Sequence, residues 1–203
     1  WNNERLAQLI EKMLANRPVE RKTATEHAMI VASGALERIV AEADRLAPTR
    51  APIVICAPPG SGKTLLARRI FALSRDAGNE ILIRAEDCNA LPKEKGNWLI
   101  RDVEALTLTI QRQLADSLER TVPPRVIALT SLDRSVLETR LDSRLMLHLG
   151  MVVLTVPPLD QRPDDIVALI THFAHYFATR HGLPELEVDD ACLTSLKTAV
   201  WPQ

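Results

Sequence analysis

The stretch Ala57-Pro58-Pro59-Gly60-Ser61-Gly62-Lys63-Thr64 constrains this chain more than any other, because it stands between an apolar run at 53–56 and a helical pattern at 65–75. Glycines let successive backbone N–H groups curl round phosphate oxygens, a lysine neutralises their charge, and a hydroxyl ligates Mg²⁺. A helix starting near Gly62 adds its N-terminal dipole. The general pattern asks for glycine at position 57, where this chain has alanine. Strand before and helix after supply the confirming context. The reading is a phosphate-binding loop in which Pro59, Gly60, Ser61, Gly62, Lys63, Thr64 and Leu65 surround a nucleotide's phosphates, with Thr64 on Mg²⁺.

The segments downstream of that loop alternate. Strands are expected at 53–56, 80–85, 97–100, 125–130 and 152–156, and helices at 63–75, 106–119 and 135–149. Such alternation predicts a mostly parallel sheet with helices on both faces. Ligands of such sheets sit at the carboxyl ends of the strands, where the loop after Cys56 falls. Upstream, Leu6, Leu9, Ile10, Met13 and Leu14 recur at helical spacing, and residues 35–46 read as another helix. After Pro157-Pro158 only helical patterns remain, at 163–180 and 188–200, which reads as a small helical lid. Two helices leave an apolar face with little cover, so the native polypeptide is expected to continue. The expected division is 1–28 as an N-terminal helix and linker, 29–158 as an α/β nucleotide-binding subdomain and 159–203 as an incomplete lid.

Composition excludes several alternatives. A net charge of -1 and 3% aromatic residues give neither a basic nucleic-acid surface nor a base-stacking platform, so no direct DNA contact is expected. Cys56, Cys88 and Cys192 have no paired or CxxC spacing and read as buried free thiols. No apolar run approaches the roughly 18 residues a membrane span needs, and Trp1-Asn2-Asn3-Glu4 is no signal peptide. A cytoplasmic setting is expected. His172 and His175 stand three apart on a helix without a third metal ligand, and read as lid surface or packing.

Several segments resemble the AAA+ domain of bacterial enhancer-binding proteins, the activators of sigma-54 RNA polymerase. Ile30-Val31-Ala32-Ser33-Gly34-Ala35-Leu36 resembles the family segment lining the adenine pocket, which implies that Val31 and Ala32 contact the base. Val156-Pro157-Pro158-Leu159-Asp160-Gln161-Arg162-Pro163-Asp164-Asp165-Ile166 is similar to the family's junction into its lid. Trp201-Pro202 resembles the pair before its last lid helix. The resemblance spans about residues 29–203. It implies a P-loop NTPase of the AAA+ type with a partial α-helical lid, ATP or ADP with Mg²⁺ as ligands, self-association into a ring or dimer, and RNA polymerase or its sigma factor as partner.

Departures from the family pattern are as informative. Where the family carries an Asp-Glu pair after a strand, this chain reads Arg101-Asp102. Arginine repels Mg²⁺, and the shorter Asp102 reaches the metal or polarises water, one role and not both. Glu86 and Asp87 form another acidic pair, in a segment that is not catalytic in the family. Asp142 and His148 fall at the positions of arginines that reach a neighbouring subunit's phosphate; Arg140 or Arg144 is left to substitute. An arginine there contributes roughly 10³–10⁵ in rate. The polar sensor falls at Thr130 or Ser131. Between Leu91-Pro92 and Gly96 only Lys93-Glu94-Lys95 replaces a helical excursion whose tip engages the sigma factor. Either the excursion is deleted, or the native polypeptide holds it outside these 203 residues.

These features lead to a nucleotide-binding domain of a transcription regulator with slow or no hydrolysis, Asp102 and Ser131 being the catalytic candidates and Asp102 the acid for Mg²⁺. Two alternatives stand beside it: an active remodelling ATPase with compensating residues, and a non-enzymatic module that senses another nucleotide, such as a cyclic dinucleotide.

Overall fold

A computed structural model of the chain describes residues 29–74, 79–94, 96–184 and 188–199. The helix expected in the first sixteen residues and the Trp201-Pro202 pair lie outside the described residues. Five strands, β1 (Ile53–Cys56), β2 (Glu80–Arg84), β3 (Asn97–Arg101), β4 (Arg125–Thr130) and β5 (Val153–Thr155), form one sheet in the order β2-β3-β4-β1-β5. Every pairing is parallel, Ile53 standing opposite Ile127 and Val54 opposite Val153.

A parallel sheet is covered on both faces, so its central strands read as near-continuous apolar runs. All four residues of β1 and all six of β4 are buried. Alternation divides them between two cores. Ile53, Ile55, Leu99, Ile127 and Leu129 meet Leu36 and Val40 of α1 (Gly34–Leu46) and Leu66 and Ile70 of α2 (Lys63–Ala72). On the opposite face Val54, Trp98, Ile100, Val126 and Ala128 meet Ile110 and Leu114 of α3 (Leu108–Leu118) and Leu145 and Leu149 of α5 (Ser143–Leu149). Each such aliphatic side chain contributes about 1.5–3 kcal/mol by leaving water.

The helix expected over 135–149 is two helices, α4 (Arg134–Arg140) and α5, separated at Leu141-Asp142. Extended backbone at both residues ends the first, and the Asp142 carboxylate accepts from the Arg144 N–H to start the second. After β5, α6 (Pro163–His181) and α7 (Asp190–Thr198) follow, α6 closing on Gly182 in the left-handed conformation. None of these helices is long and apolar enough to cross a membrane. Of the cysteines, only Cys56 is buried; Cys88 is half-buried and Cys192 lies exposed on α7, which corrects the expectation of three buried thiols.

Candidate nucleotide-binding site

Cys56 ends β1 in the middle of the sheet, and the chain then curls through residues 57–62 into α2. Gly60 (φ 77°) and Gly62 (φ 91°) take left-handed conformations that cost a side chain-bearing residue about 1–2 kcal/mol. A Cβ at Gly62 would meet nothing within 4 Å, so backbone strain alone opposes it. Gly62→Ala is therefore expected to lower stability by about 1–2 kcal/mol, read as a reduced denaturation midpoint at unchanged slope. The Ser61 N–H donates to Pro58 O (3.3 Å) and the Ala57 N–H to Thr130 O (3.1 Å), fastening the loop to itself and to β4.

Lys63 leads α2 and bends back over the loop. Its Nζ donates to Ala57 O (3.0 Å), Pro58 O (3.4 Å) and Ser131 Oγ (3.0 Å), so Lys63 and Ser131 stand together at the carboxyl ends of β1 and β4. Burial pulls its ammonium below the ordinary lysine value, Asp102 and Glu104 oppose that, and Arg101 adds to it. Thr64 and Leu65 are half-buried in the same first turn, whereas Pro59 and Gly60 are exposed. Thr130 is buried, and its Oγ1 accepts from the Leu132 N–H (3.0 Å), shaping the turn that presents Ser131.

β3 ends at Arg101, exposed like Asp102 after it. Asp102 has φ 54° and ψ 52°, the one non-glycine at positive φ among the described residues. That turn starts a 3-10 segment, Val103–Ala105, in which Val103 is buried. Glu104 is half-buried, and its Oε2 is buried without a hydrogen-bond partner among the described residues. No sequence signal singled out Glu104; only its place beyond a left-handed aspartate brings it forward. Burial, then Asp133 and Glu104, push the neighbouring Cys56 thiol up to about 11.

Val31 and Ala32 line a cavity of about 460 Å³ with Glu37, Val40 and Arg69. The segment is held by Asp165 of α6. Its Oδ1 accepts from the Ala32 and Ser33 N–H groups (both 2.7 Å) and its Oδ2 from the Ser33 hydroxyl (2.7 Å). Arg162, 4% exposed, donates through Nη1 to Asp165 (3.4 Å) and through Nη2 to Ser61 O (3.2 Å). α6, the Val31-Ala32 segment and the phosphate loop thus share one buried polar connection.

The remaining expected site residues are placed elsewhere. Glu86 and Asp87 lie exposed in a 3-10 turn after edge strand β2. Asp142 caps α5 and pairs with Arg112 (3.4 Å). Arg144 is held by Asp116 (3.1 Å) and Glu119 (2.7 Å), and His148 also meets Glu119 (3.2 Å). Among the described residues no group of three or more His, Cys, Asp or Glu is arranged to hold a metal.

A parallel sheet of this order, with a glycine-rich loop joining its central strand to a helix and further helices after the last strand, defines a P-loop NTPase of the AAA+ type. The chain belongs to the sigma-54 interaction domain family, whose model matches residues 30–159. The nitrogen assimilation regulatory protein NtrX of Azorhizobium caulinodans is 25% identical over 249 residues, an alignment that takes in 100% of this chain and 54% of NtrX. The transcriptional regulatory protein FlbD of Caulobacter vibrioides is 24% identical over 239 residues, covering 97% of this chain and 51% of FlbD. This chain spans about half the length of these curated relatives. Crystal structures of NtrX from Brucella abortus share the fold. The complex with ADP has a TM-score of 0.73 at 22% identity and the complex with ATP 0.70 at 21%, each covering 98% of this chain and about half of NtrX (51% and 52%).

Proposed function

We propose that this chain is the nucleotide-holding AAA+ module of a bacterial transcription regulator, binding ATP or ADP with Mg²⁺ and hydrolysing ATP slowly. The observation that carries the reading is the Lys63 ammonium, gathered with Ser131 over a loop whose two left-handed glycines open its backbone N–H groups toward phosphate. Donor chemistry fits the ligand. Residues 60–65 supply N–H groups and the helix N-terminus, Lys63 supplies the charge, and the Val31-Ala32 cavity takes the base. The Thr64 hydroxyl and a carboxylate beyond β3 are hard oxygen ligands of the kind Mg²⁺ takes. When bound, Mg²⁺ offsets the charge of the β- and γ-phosphates.

Slow turnover follows from what surrounds the phosphates. Arg101 stands at the carboxyl end of β3, and Asp102, which follows it in the left-handed conformation, is exposed. Asp142 and Arg144 are engaged within their own surface network. Bound nucleotide then acts as a conformational ligand, favouring one arrangement of sheet and lid, 29–158 against 159–203, by differential affinity. Partners in this reading are further copies of the chain and RNA polymerase with its sigma factor. The NtrX alignment runs over 249 residues against the 203 of this chain.

Calorimetric titration with ATP, ADP and a cyclic dinucleotide, paired with a steady-state ATPase assay, tests the proposal. ATP and ADP are expected to bind, and Lys63→Ala to weaken them by about 10- to 100-fold, as expected for hydrogen bonds to a charged group. Brisk Lys63-dependent turnover that rises with protein concentration would instead establish an active ring ATPase. Selective binding of the cyclic dinucleotide would establish an effector sensor.

A further inference from the structure

We propose that Glu104 is the working acid of this phosphate site, the carboxylate that holds the nucleotide's divalent cation where the end of β3 offers an arginine. The inference rests on the nucleotide-binding reading above and assigns a residue outside the Arg101-Asp102 pair that sequence position selects.

The backbone makes the case first. A non-glycine residue in the left-handed region is strained, and such strain persists only where surrounding structure holds it, often at functional sites. At Asp102 this strain reverses the chain as it leaves the sheet. Asp102 is left exposed, Val103 is buried, and Glu104 follows half-buried in the 3-10 segment just beyond β3. The 3-10 segment that carries Glu104 packs against β4, the strand whose end presents Ser131 to Lys63.

Solvation makes it next. A carboxylate oxygen shut away from water without a hydrogen bond is costly, and Glu104 Oε2 is in that position. Its charge acts on Cys56, the last residue of β1, and on Lys63, where the exposed Asp102 acts more strongly. The segment that carries Glu104 thus lies against β4 near its carboxyl end, at the end of the sheet from which the phosphate loop springs. Mg²⁺ bound to a nucleotide keeps several waters and uses one or two carboxylates in addition to phosphate oxygens. A half-buried carboxylate with an unpartnered oxygen suits that task, directly or through a metal-bound water.

The test compares ADP affinity in Mg²⁺ and in EDTA, by calorimetry, for the wild-type protein, Glu104→Gln and Asp102→Asn. Glu104→Ala serves as a second variant, since it removes the orphaned oxygen without burying an amide. The expected result is that both Glu104 variants bind ADP like wild type in EDTA. In Mg²⁺ they lose about 10- to 100-fold of affinity, the range found when a supporting metal contact is removed. Asp102→Asn is expected to retain most of the Mg²⁺ gain. If the Glu104 variants keep that gain, or if wild-type affinity is indifferent to Mg²⁺, Glu104 is not the cation's acid although nucleotide binding stands. If wild type binds ADP under neither condition, the nucleotide-binding reading falls and this assignment with it.

Discussion

Asp165→Ala is expected to destabilise the protein by about 3–5 kcal/mol, because it strands a buried guanidinium. Asp165 is fully buried and Arg162 nearly so. Without the carboxylate, Arg162 keeps only the Ser61 carbonyl, and the Ala32 and Ser33 N–H groups lose their acceptor. Chemical denaturation would register a lower midpoint; a change below about 1 kcal/mol, the size of a surface effect, would show that the connection is not holding these segments. Asp165→Asn keeps the shape but not the charge, and adds a pH signature. Burial by itself raises the Asp165 carboxyl, but the Ser33 N–H and hydroxyl, the Ala32 N–H and Arg162 together hold it below its ordinary value. A depressed carboxylate stabilises the fold fully above its unfolded value, and that stabilisation is lost as pH falls through the folded value. The stability gap between wild type and Asp165→Asn is thus expected to be flat from neutral pH down to the ordinary carboxylate range and to shrink below it.

Trp98→Ala carries the second large effect, also about 3–5 kcal/mol, by opening a cavity in the core beneath β3. Trp98 is 2% exposed, and its Nε1–H donates to Glu94 O (3.3 Å) across the short crossing that leads into β3. Cys88 and Leu91 pack against the same core. Losing the indole therefore unfastens the crossing as well as emptying the interior. Limited proteolysis is expected to cut Trp98→Ala within residues 88–94 before the rest of the chain. Trp98→Phe, which keeps most of the ring, is expected to retain most of the stability; equal losses in the two variants would assign the effect to the hydrogen bond instead.

Elements whose signals are local were legible in the sequence. Unbroken apolar runs marked β1 and β4 to the residue, and the glycine pattern placed the loop between β1 and α2. The division of 135–149 into α4 and α5 was hidden, because apolar spacing continues through a break made by one aspartate cap. Asp142 followed by Ser143 was the available signal. Glu104 was illegible for a different reason: its position depends on the backbone sign at Asp102, and the 3-10 segment that carries it lies against β4, far away in sequence. The Asp165 connection spans 132 and 133 residues to Ser33 and Ala32. The junction motif contains Arg162 and Asp165, but an acidic pair at a helix start reads as solvated charge, and the burial of Asp165 and what it holds are products of folding.

That same connection gives the molecule a built-in reporter. The Ala32 and Ser33 amides sit beside the cavity lined by Val31 and Ala32, yet the group that shields them from solvent deuterium belongs to α6. Their exchange clocks how often α6 lifts away. Because Arg162 also grips the Ser61 carbonyl, a ligand that stiffens the phosphate loop should slow that clock without touching either amide.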